Sequence, residues 1–382
     1  MGGTPVPDVA DLELISVDDH VVEPPHVWQE RLPAAMRERG PKIVRKPERG
    51  IEFWVYEDRK YATIGLNAVA GRPKEEYNYE PTRYDQMRSG CYDPKARVED
   101  MDVDGVTASL NFPSFARFCG QTFLESDDRD LALACVRAYN DWMIEEWCAT
   151  APARFIPLTI APLWDPALMA AEVERTAALG SRAVAFSEEP SKLGLPSLHS
   201  EHWDPFFAAC EETSTVVCTH IGSSSNMPTT SPDAPMQVGV LLTPANAFYT
   251  ATDLVFSPIF RRFPDLRWAL SEGGIGWVPY FLERLERTAD RHGAWLEIPS
   301  DPSPREIFDR NIWVCFIDDE VGLEQRHKIG VDKIMWECDY PHADSNWPHS
   351  GEYVRELTAG IPEAEVRAMC SGNARALFGF DA

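Results

Sequence analysis

Acidic and histidine side chains stand at the ends of four separate apolar runs in this sequence. Asp18 and His20 end LELISVDDH, His220 ends VVCTH, Glu272 follows WALS, and Asp339 follows IMWEC. Side chains two apart on a strand point the same way, so Asp18 and His20 can converge while Asp19 turns outward. Two imidazoles with several carboxylates suit Zn²⁺ best, and also Mn²⁺ or Fe²⁺. The sequence therefore predicts a divalent metal site, with ligands Asp18, His20, His220, Asp339 and Glu272.

A metal held in this way lowers the pKa of a bound water and polarises a carbonyl group. Asp339 and Glu272 are the candidate catalytic carboxylates, and His342 in DYPHAD is a candidate proton donor. Each has a structural alternative, since Asp339 could cap a turn, Glu272 could pair with an arginine, and His342 could be an ordinary loop residue. Three arginines could anchor a carboxylate or phosphate, although surface arginines are common: Arg83, Arg88 and Arg117.

Short β-branched or aromatic runs alternate with longer helical patterns along the chain, as in βα units. The predicted strands are 12–18, 106–112, 155–160, 182–186, 215–219, 267–271, 311–316 and 333–337. Eight such units favour a (β/α)8 TIM barrel over an open doubly wound sheet. In a barrel, residues at the carboxyl ends of the strands share one mouth, where active sites lie.

Two insertions, after strands 1 and 5, interrupt a chain that we otherwise expect to be one barrel domain over residues 1–382. Residues 30–95 contain IEFWVY-EDR-KYATIG, in which two strand-like runs flank a polar turn, so a hairpin is predicted. Residues 221–248 are rich in Ser, Thr, Pro and Met, and form either a lid over the mouth or a plain surface loop.

Charge and composition exclude several classes of partner. The formal net charge of −25 argues against nucleic acid, which requires clustered Lys and Arg. No apolar stretch approaches the roughly 20 residues of a membrane span, and Met1–Asp11 does not look like a signal peptide. The nine cysteines are scattered, without a CxxC pair, which favours a reduced, cytoplasmic location.

Longer motifs through nearly the full chain resemble the amidohydrolase superfamily, and more closely its aminocarboxymuconate-semialdehyde decarboxylase-like group. They are ISVDDHVVEPP, AYNDWMIEEW with ARFIPL, CTHIG, RRFPDLRWALSEGGIGWVPYFLERL, IMWECDYPHADSNWP and NARALFGF. The resemblance implies a metal-dependent enzyme, a homodimer, and metal ligands at Asp18, His20, His220 and Asp339. The family places a histidine after strand six in HxGG, where this chain has Glu272 in SEGG.

The Glu272 departure favours the first of three functional hypotheses. A carboxylate in place of an imidazole favours a base toward water, so the first is a metal-dependent hydrolase that cleaves an acyl bond (amide, ester, thioester or C–C). The alternative is a metal-dependent non-oxidative decarboxylase of an aromatic or enoic acid. The third is a metal-poor binding protein, or a degenerate barrel that has lost catalysis through the change at Glu272. In each, the expected partner is a small carboxylate or acyl compound.

Overall fold

The backbone, described for residues 12–62, 64–78 and 81–380 in a computed structural model, is built on short buried strands. The prediction about a signal peptide in Met1–Asp11 lies outside these residues. The strands are β1 (Leu14–Val21), β2 (Lys42–Lys46), β3 (Ile51–Tyr56), β4 (Arg59–Tyr61), β5 (Val106–Pro113), β6 (Phe155–Ile156), β7 (Leu158–Ile160), β8 (Ala183–Phe186), β9 (Val216–His220), β10 (Trp268–Ser271), β11 (Ile312–Phe316) and β12 (Ile334–Trp336).

Helices follow most of these strands. They are α1 (His26–Arg31), α2 (Ala34–Arg37), α3 (Pro94–Asp104), α4 (Gln121–Leu124), α5 (Arg129–Trp142), α6 (Pro166–Ala178), α7 (Asp204–Glu212), α8 (Met236–Leu242), α9 (Ala245–Phe256), α10 (Ile259–Arg262), α11 (Val278–His292), α12 (Pro304–Asn311), α13 (Glu320–Glu324), α14 (Arg326–Ile329), α15 (Ser350–Leu357), α16 (Glu363–Arg367) and α17 (Asn373–Phe378). Among the described residues, no helix has the length and apolar character needed to cross a bilayer.

All strands of the barrel are parallel. One set pairs in the order β1-β5-β6, and the other in the order β7-β8-β9-β10-β11-β12. β6 and β7 are two halves of one strand position, separated by Pro157, which cannot donate a backbone hydrogen bond. On the other side, Asp339 N donates to Asp18 O and His20 N donates to Tyr340 O, both at 2.7 Å, linking the segment after β12 to β1. The predicted α/β barrel fold is confirmed.

Burial on both faces explains why the barrel strands read as continuous apolar runs. Every residue of β8, β9, β10 and β12 is buried, because side chains fill the barrel interior on one face and meet the helices on the other. In α11 the residues Val278, Phe281, Leu282 and Leu285 form a buried stripe along one face of the helix.

The insertion after β1 contains a small antiparallel sheet. β3 and β4 pair as a hairpin over the residues where the sequence alternates, and β2, which the sequence did not reveal, pairs with β3. The insertion after β9 contains the short helix α8. The division of the chain into one barrel domain with these two insertions, and the function of the second as a lid, remain predictions.

Candidate active site

The carboxyl ends of β1, β9, β10 and β12 bring the predicted site residues together. His220 is the last residue of β9, Glu272 follows β10 directly, and Asp339 comes three residues after β12. Glu272 and Asp339 both have left-handed backbone conformations, with φ of 57° and 59°. Such conformations are costly for residues other than glycine and cluster at functional sites. Here they turn the chain sharply at the barrel rim.

Four of these side chains form one buried cluster. One donor atom from each of Asp18, His20, His220 and Asp339 lies within 4.8 Å of all the others. His20 Nε2 is 3.1 Å from His220 Nε2 and 3.1 Å from Asp339 Oδ1. Asp18 Oδ1 lies 3.6 Å from His20 Nε2, and Asp18 Oδ2 lies 3.4 Å from His220 Nε2. The structure thus joins four of the five residues that the sequence predicted as ligands.

The protonation of His220 leaves a lone pair on the ring nitrogen that faces the cluster. His220 Nδ1 lies 2.5 Å from the carbonyl oxygen of Ile221, and a carbonyl can only accept, so Nδ1 carries the proton. In the neutral ring, Nε2 then holds a lone pair. Burial lowers the pKa of His220 to about 4, and burial together with His342 and His220 holds the pKa of His20 well below its usual value. Neutral imidazoles are the form that binds a metal.

The Asp18 carboxylate lacks hydrogen-bond donors. Among the described residues, no group donates a hydrogen bond to either oxygen of Asp18, although its side chain is fully buried. Burial, followed by repulsion from Glu337, Asp339 and Glu272, raises the pKa of Asp18 well above its usual value. Buried anions without counter-charge are unfavourable, and a bound cation would remove that cost.

The spacing of the donors also fits a metal ion. The shortest contacts between cluster atoms are 3.1–3.6 Å. Ligands bound at about 2.0–2.2 Å in tetrahedral or octahedral geometry are separated by about this much. The residues present therefore fit a divalent ion on donor chemistry, burial and spacing.

Glu272 lies beside this cluster. Its Oε2 is 3.2 Å from His220 Nε2, and its backbone N–H donates to both oxygens of Glu337 at 3.1 Å. Glu337 is fully buried, and burial raises its pKa to about 8. Because Glu337 holds the turn after β10, the carboxylate of Glu272 is directed toward the metal ligands.

His342 completes the group. Its Nδ1 lies 2.9 Å from Asp339 Oδ1, and its ring stacks on that of His20 with centroids 3.8 Å apart. Burial opposes ionisation of Asp339, but His342 and His20 hold the pKa of its carboxyl below the usual value. Among the described residues, nothing accepts from or donates to His342 Nε2. An aspartate–histidine pair of this kind can move a proton at that free nitrogen.

A cavity of about 580 Å³ opens beside Glu272, Asp339 and His342. Its size falls within the usual range for small-molecule sites. Much of its wall is apolar, formed by Phe115, Phe118, Ile221, Met227 and Val240. The Phe118 ring stacks on His220 with centroids 4.2 Å apart, which places an aromatic wall directly beside the cluster.

Of the three candidate arginines, one borders the cavity and two do not. Arg117 borders this cavity. Arg83 instead pairs with Asp85 at 2.7 Å, and Arg88 pairs with Asp100 and stacks on Trp347. Neither of these two borders the cavity, so both are structural or surface arginines.

Sequence reasoning missed Glu337, although its position two residues before Asp339 was a usable signal. It also missed Arg97, which is fully buried in α3 and donates to the carbonyl oxygen of His20. Asp19 does turn away from the cluster, but toward Arg97 rather than solvent, with 3.7 Å between Asp19 Oδ2 and Arg97 Nη1.

An α/β barrel with a histidine–carboxylate cluster at the carboxyl ends of its strands defines the class of this protein. The amidohydrolase family model matches residues 26–380, so the chain belongs to the amidohydrolase family and is an enzyme of that superfamily.

The curated relatives extend the family assignment. A gamma-resorcylate decarboxylase from Polaromonas sp. (strain JS666) is 26% identical over 317 residues, covering 77% of this chain and 90% of the relative. The 2-amino-3-carboxymuconate-6-semialdehyde decarboxylase of Dictyostelium discoideum is 25% identical over 304 residues, covering 78% of this chain and 79% of the relative. The resemblance to the aminocarboxymuconate-semialdehyde decarboxylase-like group is thereby confirmed.

Solved structures share the fold. The 5-carboxyvanillate decarboxylase of Sphingomonas paucimobilis aligns with a TM-score of 0.68 at 22% identity, over 97% of this chain and all of that one. A dihydroxybenzoic acid decarboxylase from Polaromonas sp. JS666, with bound manganese and 2-nitroresorcinol, aligns with a TM-score of 0.64 at 20% identity, over 96% of this chain and 97% of that one.

These relatives correct the functional prediction. The prediction of a hydrolase was wrong, because the relatives with significant sequence similarity are decarboxylases. The physical reason lies at Glu272, whose carboxylate contacts His220. A carboxylate in that position is not specific for activating water, so its presence did not justify the choice of hydrolysis.

Proposed function

We propose that this chain is a metal-dependent, non-oxidative decarboxylase of an aromatic or enoic carboxylic acid. The observation that carries the proposal is the buried cluster of Asp18, His20, His220 and Asp339 at the edge of a largely apolar cavity. The decarboxylases among its relatives support this reaction for a site of that composition.

We propose Asp18, His20, His220 and Asp339 as the metal ligands, with Glu272 as a further donor through its contact with His220. The mixed nitrogen and oxygen donors accommodate Zn²⁺, Mn²⁺ or Fe²⁺. Zn²⁺ is the ion that the sequence favours, and the manganese in a related decarboxylase structure makes Mn²⁺ the second candidate. When bound, the ion would hold the substrate carboxylate with a neighbouring oxygen and so position the reacting carbon.

His342 and Asp339 are the proposed catalytic pair. Asp339 Oδ1 lies 2.9 Å from His342 Nδ1 and would stabilise the imidazolium, while Nε2–H would stay free at the cavity edge. His342 would deliver this proton to the carbon that bears the carboxylate. The C–C bond to the carboxylate then breaks, its electron pair restores the π system, and CO2 leaves. No oxidant or reductant is required.

Phe115 and Phe118 supply the surface against which an aromatic or enoic acid would pack. Phe118 lies against His220, so a planar ring beside it would have its carboxyl group near the cluster. The apolar wall also limits water at the reacting carbon, which strengthens the electrostatic effect of the charged groups.

We further propose a cytoplasmic homodimer. All nine cysteines are free and buried, which fits a reducing compartment, and the family resemblance implies the dimer. Size-exclusion chromatography with light scattering measures the oligomeric state directly, and a monomer at all concentrations would contradict the dimer.

The reaction is tested by incubating metal-loaded enzyme in ²H₂O with 2,6-dihydroxybenzoate and related hydroxy and enoic acids. We expect CO2 release with one deuterium on the carbon that lost the carboxylate. His342→Gln should lower kcat by about 10²–10⁴-fold, the usual contribution of a general acid, without changing metal content. The control is His349→Gln, an exposed histidine outside the cavity. Absence of CO2 from every acid with Zn²⁺, Mn²⁺ or Fe²⁺ would contradict the proposal.

A further inference from the structure

One positively charged side chain lies in the wall of the cavity. Arg117 is the only lysine or arginine among the described residues that border it, whereas Glu272, Asp339 and Asp344 supply negative charge. Arg117 forms its ion pair with Glu125 and, within the described residues, none with the carboxylates of the metal cluster. It is therefore a second, separate position in the cavity that can attract an anion.

The turn that carries Arg117 is rigidly built. Glu23 is fully buried, and its carboxylate accepts from the backbone N–H groups of Phe115 and Ala116 at 2.7 and 3.0 Å, and from that of Ser114 at 3.3 Å. Arg117 N then donates to Ser114 O at 3.1 Å. Arg117 itself has a φ of 58°, a strained conformation that persists only where the surroundings enforce it.

The guanidinium retains binding capacity. Arg117 Nη1 donates to Glu125 Oε1 at 3.0 Å and Nη2 donates to Ser225 Oγ at 2.5 Å, while no described residue accepts from Nε. The Glu125 side chain is 43% exposed, and ion pairs of that exposure contribute little to stability. A carboxylate inside the cavity would meet less competition from water and could bind the planar guanidinium through two hydrogen bonds.

Ser114 provides an independent indication. It borders the same cavity and is only 6% exposed, yet its hydroxyl has no hydrogen-bond partner among the described residues. Buried hydroxyls are nearly always hydrogen-bonded. A ligand oxygen beside this turn would satisfy the Ser114 hydroxyl and the Arg117 charge together.

We propose that Arg117, assisted by Ser114, binds a second carboxylate of the substrate, so that the enzyme selects dicarboxylic acids over monocarboxylic acids. This inference rests on the proposed function for the placement of the first, reacting carboxylate at the metal cluster. Arg117 acts in specificity and takes no part in breaking the C–C bond.

The test compares two acids on the metal-loaded enzyme: 5-carboxyvanillate, which carries two carboxylates, and 2,6-dihydroxybenzoate, which carries one. Arg117→Met should raise KM for the dicarboxylate at least tenfold, with kcat within about twofold and little change for the monocarboxylate. The control is Arg59→Met, because Arg59 contacts the same Glu125 at 3.5 Å but does not border the cavity. Equal effects of Arg117→Met on both acids would overturn the inference.

Replacing Glu125, the ion-pair partner of Arg117, should change KM in the opposite direction. Glu125→Gln removes the carboxylate that competes for Arg117, so it should lower KM for the dicarboxylate by about two- to threefold and leave the monocarboxylate unaffected. If Arg117→Met does not fold, Arg117→Lys keeps the charge but loses the planar fork, and a smaller rise in KM for the dicarboxylate alone is expected. Unchanged KM in both the Lys and the Gln variants would overturn the inference.

Calorimetry separates this inference from the proposed reaction. Isophthalate and benzoate differ by one carboxylate, and their binding to metal-loaded enzyme requires no turnover. Isophthalate binding that is tighter than benzoate binding and is lost in Arg117→Met would support the subsite even if no acid is decarboxylated. Equal binding of the two acids by the unmodified enzyme would overturn it even if decarboxylation is observed.

Discussion

Replacing Arg97 by methionine tests whether a buried guanidinium outside the barrel holds the metal ligands in place. Arg97 has no exposure, and it donates to Gly90 O at 2.7 Å and to His20 O at 2.5 Å. Its guanidinium lies 4.4 Å from the ring centre of Tyr340, the residue after Asp339. One side chain thus contacts two of the three strand ends that carry cluster residues, those of β1 and β12.

The cost follows from what the substitution leaves behind. Hydrogen bonds to charged groups contribute about 1.5–3 kcal/mol each, and two carbonyls lose such a donor. Breaking a buried ion pair costs about 3–5 kcal/mol, but burial already raises the pKa of Asp19 to about 7, so protonation of Asp19 limits that penalty. The contributions overlap, and we expect a loss of about 3–5 kcal/mol in the free energy of unfolding.

Urea unfolding of metal-free protein measures this loss, and the double variant Arg97→Met/Asp19→Asn measures the coupling. Asparagine keeps the acceptor for Tyr340 N without the charge, so the two substitutions together should cost at least 1 kcal/mol less than the sum of the single ones. Metal affinity should fall about 10–100-fold in Arg97→Met, as for other losses of support behind a ligand. The control is Arg287→Met, whose pair with Glu283 is exposed on both sides. A loss below 1 kcal/mol for Arg97→Met, or strict additivity, would refute the reasoning.

Two further predictions concern pH and metal. Burial raises the pKa of Glu188 from 4.5 to about 7. The stability that this group contributes is therefore complete below pH 4.5 and lost as the pH rises through 7. Relative to the unmodified protein, Glu188→Gln should gain up to about 3 kcal/mol in the free energy of unfolding between pH 5 and pH 8, measured with urea. Stability profiles of the two proteins that run parallel over this pH range would contradict the prediction. Removal of metal by a chelator should lower the melting temperature, and saturation with Zn²⁺ or Mn²⁺ should restore it. At a thousandfold excess of metal over Kd, the stabilisation should be equivalent to about 4 kcal/mol. His220→Ala should melt at the same temperature with and without metal.

Much of the fold could be predicted because the barrel strands are buried on both faces. Strands β5, β9 and β11, for example, lie at the apolar runs that the sequence displays, within a residue or two. β2 was missed because KIVRK carries three basic residues and is only partly buried, so neither an apolar run nor a clean alternation marks it. Helix α8 was missed because it is short and interrupted by Gly239.

The metal cluster could be predicted because each ligand lies at or just after the carboxyl end of its strand, and parallel strands bring these ends to one rim. The Arg117 turn could not, because its shape depends on Glu23, which lies more than ninety residues earlier and accepts three of its backbone N–H groups. No local pattern in the sequence reports such a contact. The reaction type was also beyond reach, since a carboxylate at position 272 fits a metal ligand and a base equally well.

The register of β1 and of the segment after β12 positions both the metal cluster and the contacts around Arg97. Along β1, Asp18 and His20 face the cluster while Asp19, between them, turns toward Arg97. After β12, Asp339 faces the cluster and Tyr340 turns outward, where its backbone N–H donates to Asp19 Oδ1 and its ring packs on the same guanidinium. A shift of either segment by one residue would exchange the inner and outer side chains, removing metal ligands and the Arg97 contacts at the same time. The contacts around Arg97 and the assembly of the metal cluster therefore depend on the same register. For this reason, a single substitution at Arg97 should affect both protein stability and metal binding.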